Sequence, residues 1–524
     1  MKSRRGAPHT RIAAAFAGVV SAAALLAVAE LVALLIARQA SPLLAVGAFV
    51  IDIVPRPIKE LAIELFGTAD KPILLISVGL AAVIGAAIAG LLQLVRPPFG
   101  AALLGLAGAA AVAATATRAG VVPALAAIPS AVGTAAGVVV LVLLVGRIAR
   151  WRTAVSDGTD GTDGTDEAGL ARRSFLRISL ATGAGALIVG VGARLVNAAV
   201  TSGTAVREAL RLPAPRSRVE LPAGAEFDIE GLSPLVTPNA DFYRVDTALT
   251  VPSVDPATWA LTVTGMVDEE ITLTFDELVA MGLDEYGVTL TCVSNEVGGG
   301  LVGNAIWTGV PVRDVLALAS PQNGADMVLS RSVDGYTAST PLSALTDDGL
   351  DAILAVAMNG EPLPLEHGFP VRMVVPGLYG YVSATKWLSE LKVTTFDADE
   401  AYWTPRGYDA EAPIKLSSRI DTPRVDKAVP AGLVKIAGMA WAQPVGVARV
   451  EVQIDDGDWQ PATVSNPIND ASWVQWFLDW EATSGTHYVA VRTTDKAGTV
   501  QTEERAPIAP NGSSGLQRTL VRVN

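Results

Sequence analysis

Apolar residues are unevenly spread along the chain. In its first third they form four stretches nearly free of charge, Ile12–Ala37, Pro72–Val95, Gly100–Thr117 and Val121–Gly146. Each approaches the ~20 residues that carry an α-helix across hydrocarbon, so four transmembrane helices are predicted within residues 1–150. The run SDGTDGTDGTDE at 156–167 has no apolar face to bury and predicts a flexible acidic cytoplasmic linker over 151–171. A Gly/Ala-rich apolar segment reaching Gly192 then predicts a fifth span within 172–200.

Beyond residue 200 the apolar runs become shorter and alternate. From Arg211 to Val236 the chain is rich in Pro and polar residues and reads as a linker leading into a domain. Trp259–Val263, Val288–Cys292 and Val371–Val375 have the pattern of strands, and Thr274–Met281 and Val312–Ala319 that of short helices with acidic first turns. A mixed α+β domain is predicted over 201–417. From 418 to 524 strands alone are predicted: Leu433–Trp441, Ala448–Ile454, Trp473–Asp479, His487–Thr493 and Thr519–Val523, with turn signals such as Asp456-Gly457 between them. That spacing suggests an immunoglobulin-like β-sandwich, with Trp441, Trp459, Trp473, Trp476 and Trp480 as its large core or interface side chains.

Charge orients the helical third. Lys2, Arg4, Arg5 and Arg11 precede the first span, and Arg147, Arg150 and Arg152 follow the fourth, so the positive-inside bias puts both ends in the cytoplasm. Glu30 lies within the first span, where interhelical hydrogen bonding is the simpler reading than a proton or quinone role. Arg172-Arg173-Ser174-Phe175-Leu176-Arg177 opens the fifth span and is similar to a twin-arginine export signal; a stop-transfer helix with basic flanks is the plainer alternative. Either places the rest of the chain outside the cell membrane.

The formal net charge of −13, with no clustered Lys/Arg stripe, argues against nucleic acid as a partner. A single cysteine among 524 residues excludes an intramolecular disulfide, so outside the cell the core must carry stability. That residue, Cys292, ends an apolar run and enters the loop Asn295-Glu296-Val297-Gly298-Gly299-Gly300. A free cysteine is commonly a small buried hydrophobe; at a strand end it can equally be a nucleophile or a soft metal ligand. The exported part has only His367 and His487, and no spacing supports a zinc site. A second stretch, from Asn359 to Trp387, carries His367, Arg372 and Lys386 on loops around a probable strand, three donors suited to an anionic ligand.

The run NGEPLPLEHGFPVRMVVPG to SATKW, with LTCVSNE and TPNADFYRVD upstream, resembles the molybdopterin domain of the sulfite oxidase and assimilatory nitrate reductase family. The resemblance covers residues 234–416, and the β-sandwich is similar to the family's C-terminal dimerisation domain. It implies a molybdenum–molybdopterin cofactor with Cys292 as the protein thiolate on the metal. It further implies that His367, Arg372 and Lys386 hold the pterin and its phosphate, with Ser383 and Thr385 beside the last contact. Phe242, Tyr243 and Arg244 match the first pterin-binding stretch with a register shift of one residue, and Ser332 or Asp334 matches a further contact. Tyr408, five residues after Trp403, matches the active-site tyrosine, and Arg406 lies near it in sequence to attract an anion.

The chain departs from sulfite oxidases at Glu296 and Val297, which stand where the family has anion-pocket arginines, and an acidic group there is expected to repel sulfite. The branch that reduces protein methionine sulfoxide lacks the β-sandwich. The resemblance implies two-electron oxygen-atom transfer on a small oxyanion or an S- or N-oxide. No Cys-x-x-Cys-His run is present and His9 precedes the first span, so no haem is expected on this chain. An external cytochrome or membrane subunit is expected to exchange electrons, and a homodimer to form through the C-terminal domain. The competing class is a non-catalytic envelope scaffold with a degenerate cofactor domain.

Overall fold

A computed structural model of the protein describes residues 8–36, 46, 70–116, 123–157, 163–200, 203–248 and 251–524. Two compact units separate near residue 202, the second comprising residues 203–247 and 251–524.

The first unit is helical: α1 (Pro8–Ile36), α2 (Asp70–Val95), α3 (Phe99–Ala116), α4 (Pro123–Asp157) and α5 (Asp163–Val200). Among the described residues four helices are long and apolar enough to cross a membrane, over His9–Ile36, Ile76–Val95, Phe99–Ala116 and Ala124–Thr153. Gly18 and Gly90 let α1 and α2 touch backbone to backbone, since a Cβ on either would strike the carbonyl of Ala86 or Ala14. Such small-residue contact is how helices associate where no hydrophobic effect drives them together. The expected fifth span lies on α5, but most side chains after Val191 are outside the described residues. Much of the acidic repeat also differs from expectation. Residues 163–167 join α5, while 158–162 lie outside the described residues.

The second unit begins with a short helix, Gly203–Ala209, and continues with β1 (Ala260–Gly265), β2 (Ile271–Thr274), β3 (Asp284–Thr291), β4 (Val302–Pro311), β5 (Met327–Ser332) and β6 (Thr337–Pro341). Then come β7 (Ile353–Met358), β8 (Glu361–Pro362), β9 (Arg372–Val374) and β10 (Leu388–Thr394). Two sheets result. One has the order β2-β1-β10-β5-β6, with β1 and β10 parallel; the other runs β3-β4-β7-β8, with β9 on β7. Short helices start where the sequence places them: Phe275–Ala280 is opened by a capping box, in which Thr274 accepts from the Glu277 amide and Glu277 accepts from the Thr274 amide. The helix Val312–Ala319 buries Val312, Val315, Leu316 and Ala319 on one face. These side chains join Leu261, Val263, Leu354, Met373 and Leu391 in the main core.

The C-terminal part holds β11 (Ser417–Thr422), β12 (Gly432–Trp441), β13 (Val447–Ile454), β14 (Gln460–Pro461), β15 (Thr463–Val464), β16 (Val474–Ala482), β17 (Gly485–Asp495) and β18 (Gln517–Val523). They form two four-stranded sheets, β11-β12-β16-β15 and β14-β13-β17-β18. Ile436, Val450, Val452, Trp476, Val489 and Val521 fill the core they share. Not every tryptophan goes there. Trp441 and Trp473 are buried with Val293, Val302, Tyr379 and Tyr381 of the preceding domain, because their strand ends abut it. Trp480 packs partly on the shared core, and Trp459 lies half-buried beneath Arg492.

Candidate functional site

β3 ends at Thr291, and the next residue is Cys292. The turn after it is tied internally: the Cys292 amide donates to the Leu301 carbonyl at 2.9 Å, the Asn295 amide to the Cys292 carbonyl at 3.0 Å, and the Leu301 amide to Asn295 Oδ1 at 2.8 Å. The Cys292 sulfur accepts from the Ser294 amide at 3.4 Å and lines a cavity partly open to solvent. Burial pushes the Cys292 thiol above its ordinary pKa, an effect opposed by the Ser294 hydrogen bonds and by Lys386.

The opposite donors come from the turn before β9 and the loop after it. His367 ends the 3-10 turn Leu365–His367 and is 3% exposed; its Nε2 is 3.2 Å from the Asn239 carbonyl. Burial, then Arg372 and Lys386, bring its imidazole down to about 4, so it is neutral near pH 7. Arg372 is 5% exposed. Its guanidinium donates to the carbonyls of His367, Met373 and Ala384 and lies 5.0 Å from the Trp307 ring centre. Burial lowers it to about 10. Lys386 donates to Asp246 at 2.8 Å and to the Glu366 carbonyl at 3.0 Å; burial lowers it to about 8, against the pull of Asp246.

Most sequence-predicted residues meet at this cavity. Cys292, His367, Arg372, Lys386, Phe242, Tyr243, Ser332, Asp334 and Tyr408 all line it. Phe242 is buried edge-on against Trp307 and His367 and stacks on Tyr243 at 5.2 Å. Four of the expected residues, two of which could share a contact through hydroxyl or backbone groups, do not line the cavity. Ser383 spends its hydroxyl on the Leu378 and Tyr379 carbonyls, and Thr385 pairs with Ser330; both are buried off the cavity wall. Arg244 turns outward to Asp246 at 2.9 Å. Arg406 folds over the Tyr402 ring at 3.7 Å and donates to the Tyr402 carbonyl, so it does not line the cavity either. Glu296, expected to repel an anion, is exposed and also off the wall.

Sequence reasoning missed Asp246, Tyr336 and Tyr381. Asp246 joins Arg244 and Lys386, with a side chain 4% exposed. Tyr336 donates to the Tyr381 carbonyl, and Tyr381 to the Asp409 carbonyl, each at 2.7 Å. Burial raises the pKa of both phenols, so they stay protonated. An aspartate two residues after Arg244, closing the matched run TPNADFYRVD, was the available signal for the first; the tyrosines had none, because only long-range folding joins them.

The donor set fits a molybdenum-bound pterin. A thiol suits a soft metal. Arg372, buried and bonded to carbonyls with no carboxylate partner among the described residues, retains an uncompensated charge for an anionic group such as a phosphate.

Comparison with known proteins agrees. Residues 248–403 match the model of the oxidoreductase molybdopterin-binding domain. Mitochondrial sulfite oxidase of Homo sapiens is 31% identical over 357 residues, covering 59% of this chain and 65% of that protein. Sulfite oxidase of Gallus gallus is 30% identical over 347 residues, covering 57% of this chain and 75% of that protein. The NAD(P)H nitrate reductase of Hordeum vulgare is 29% identical over 316 residues, covering 48% of this chain and 35% of that protein. The chain thus spans a little under two thirds of the human protein's length. With this cavity, this matched domain and these relatives, the chain belongs to the sulfite oxidase family of molybdopterin-dependent oxidoreductases.

Proposed function

We propose that the chain is a membrane-anchored, extracytoplasmic molybdenum-cofactor oxidoreductase acting on a small oxyanion or an S- or N-oxide, and exchanging electrons with an external cytochrome or membrane subunit. One observation carries this reading: the chain's only thiol shares a cavity with His367, Arg372 and Lys386. When bound, the molybdenum group supplies two-electron oxygen-atom transfer, and the protein supplies orientation and electrostatics.

Cys292 is the residue that ligates the metal, at the end of a strand whose backbone is fixed in a sheet. Arg372 and Lys386 hold the anionic part of the cofactor, and neutral His367 offers a ring nitrogen beside them. Phe242 and Tyr243 give an aromatic wall against which a flat ring can lie. Tyr408, packed on Trp403 and Tyr381, presents a phenol that can donate to a substrate oxygen. The relatives are named for sulfite and nitrate, which supports the small-oxyanion end of the substrate range. The four apolar helices support anchoring, and the basic flanks of the first and fourth support an outward-facing catalytic domain. The two-sheet C-terminal part is read as an immunoglobulin-like dimerisation domain.

The test is metal analysis joined to mutation. Protein from a cofactor-competent host is expected to carry near-stoichiometric molybdenum, and Cys292→Ser to abolish dye-linked turnover with sulfite, S-oxides, N-oxides and nitrate while the fold is kept. Full activity in that variant rejects the ligand assignment. Absence of molybdenum from the wild type favours a scaffold instead.

A further inference from the structure

The loop that carries Cys292 is held from outside as well as within. Ser513 Oγ donates to the Asn295 carbonyl at 2.7 Å, three residues beyond the thiol. Arg419 Nη1 donates to the Gly299 carbonyl at 3.1 Å, near the loop's other end. Arg419 is itself fixed, by Asp421 at 2.6 Å and by Ser233 at 3.0 Å, and its side chain is only 10% exposed. Between these two bonds Gly298, at φ +80°, is covered by the Gln517 side chain, close enough that a Cβ there would lie 2.7 Å from it. Gln517 cannot easily give way, because its Oε1 accepts from the Ile420 amide at 2.6 Å. On the strand leading in, Gln443 donates to the Thr289 carbonyl at 2.7 Å, and the Trp473 amide to the Thr289 hydroxyl at 2.8 Å.

Ser513, Arg419, Gln517, Gln443 and Trp473 all belong to the two-sheet C-terminal part, yet each bears on residues 289–299. The geometry points to a second role for that part: its Ser513 and Arg419 are positioning residues that set the direction of the Cys292 sulfur, so the metal site is incomplete without it. The physical reason lies in the loop's own sequence. Gly298-Gly299-Gly300 has no side chains with which to pack, so beyond the loop's own backbone hydrogen bonds only contacts from outside can fix its direction. Carbonyl groups gripped from a neighbouring sheet supply the missing ones. Neither residue touches the cavity, so each acts only through the loop. Ligand placement matters at small scale: a displacement of about 1 Å in a reacting group can lower a rate by about a hundredfold.

This inference rests on Cys292 being the metal ligand, and its test separates the two. In the full-length molybdenum-loaded protein, Ser513→Ala is expected to keep wild-type molybdenum content, while kcat falls about tenfold with KM little changed. The paramagnetic resonance signal of the half-reduced metal should shift in the same variant, since it reports the orientation of the thiolate. Ser513→Thr, which keeps the hydroxyl, should restore both. Lys435→Ala, on the exposed side of β12, is the control and should alter neither. Unchanged kcat and an unchanged resonance signal in Ser513→Ala overturn the positioning role, as does a loss of activity that merely follows loss of molybdenum. A wild-type protein without molybdenum would instead defeat the reading of Cys292 itself.

Discussion

Replacing His367 with Gln tests whether the cavity holds its imidazole neutral. Gln can still donate from its side-chain amide to the Asn239 carbonyl, so the 3.2 Å contact survives while the titration disappears. The magnitude follows from proton linkage. Unfolded, the imidazole binds a proton near 6.5; folded, burial and the two neighbouring cations delay binding until about 4. Below 6.5 the unfolded chain therefore takes up a proton that the folded chain refuses, and stability falls as pH falls. At about 1.36 kcal/mol for each pH unit at full slope, and less near each pKa, the wild type should lose roughly 2 kcal/mol from this group between pH 6.5 and 4.5. Its stability is unaffected by this group above pH 6.5. The assay is urea unfolding of cofactor-free protein in detergent at pH 7 and pH 4.5, for both chains. Other groups, His487 and the carboxylates included, are common to both and cancel in the difference. If wild type and His367→Gln lose the same stability between the two pH values, the imidazole is not held neutral and the electrostatic description of the site fails.

Two further outcomes follow from packing and charge. Asp246→Asn removes the buried counterion of Lys386; its amine should titrate below about 8, read by pH-dependent lysine modification, and the folded state should lose about 3 kcal/mol in urea. Trp476→Ala, at a side chain with no exposure in the core between the two C-terminal sheets, should cost about 3–5 kcal/mol in guanidinium unfolding.

The sequence alone was informative where a signal is local. Hydrophobic runs marked the four long helices, since spanning hydrocarbon demands length and apolarity. Val312–Ala319 was placed to the residue, and the C-terminal strands to within a few positions, because periodicity of 3.6 or 2 records which faces are buried. The cavity-lining residues Cys292, His367, Arg372 and Lys386 were legible because each sits in a distinctive contiguous motif.

Tertiary structure decided what no local pattern contains. Arg406 and Tyr408 are two residues apart, yet one folds onto Tyr402 and the other faces the cavity, a choice made by side-chain packing. Asp246 and Lys386 are 140 residues apart, and only the folded chain makes them a buried pair. Trp473 and Trp476 lie on the same run, but one packs against the preceding domain and the other inside the β core, because alternation along a strand tells which side chains share a face and not what that face meets. The sequence thus determined most of the elements and nominated the candidate residues. Folding decided which of those residues converge, since convergence depends on contacts between segments that the chain itself holds far apart.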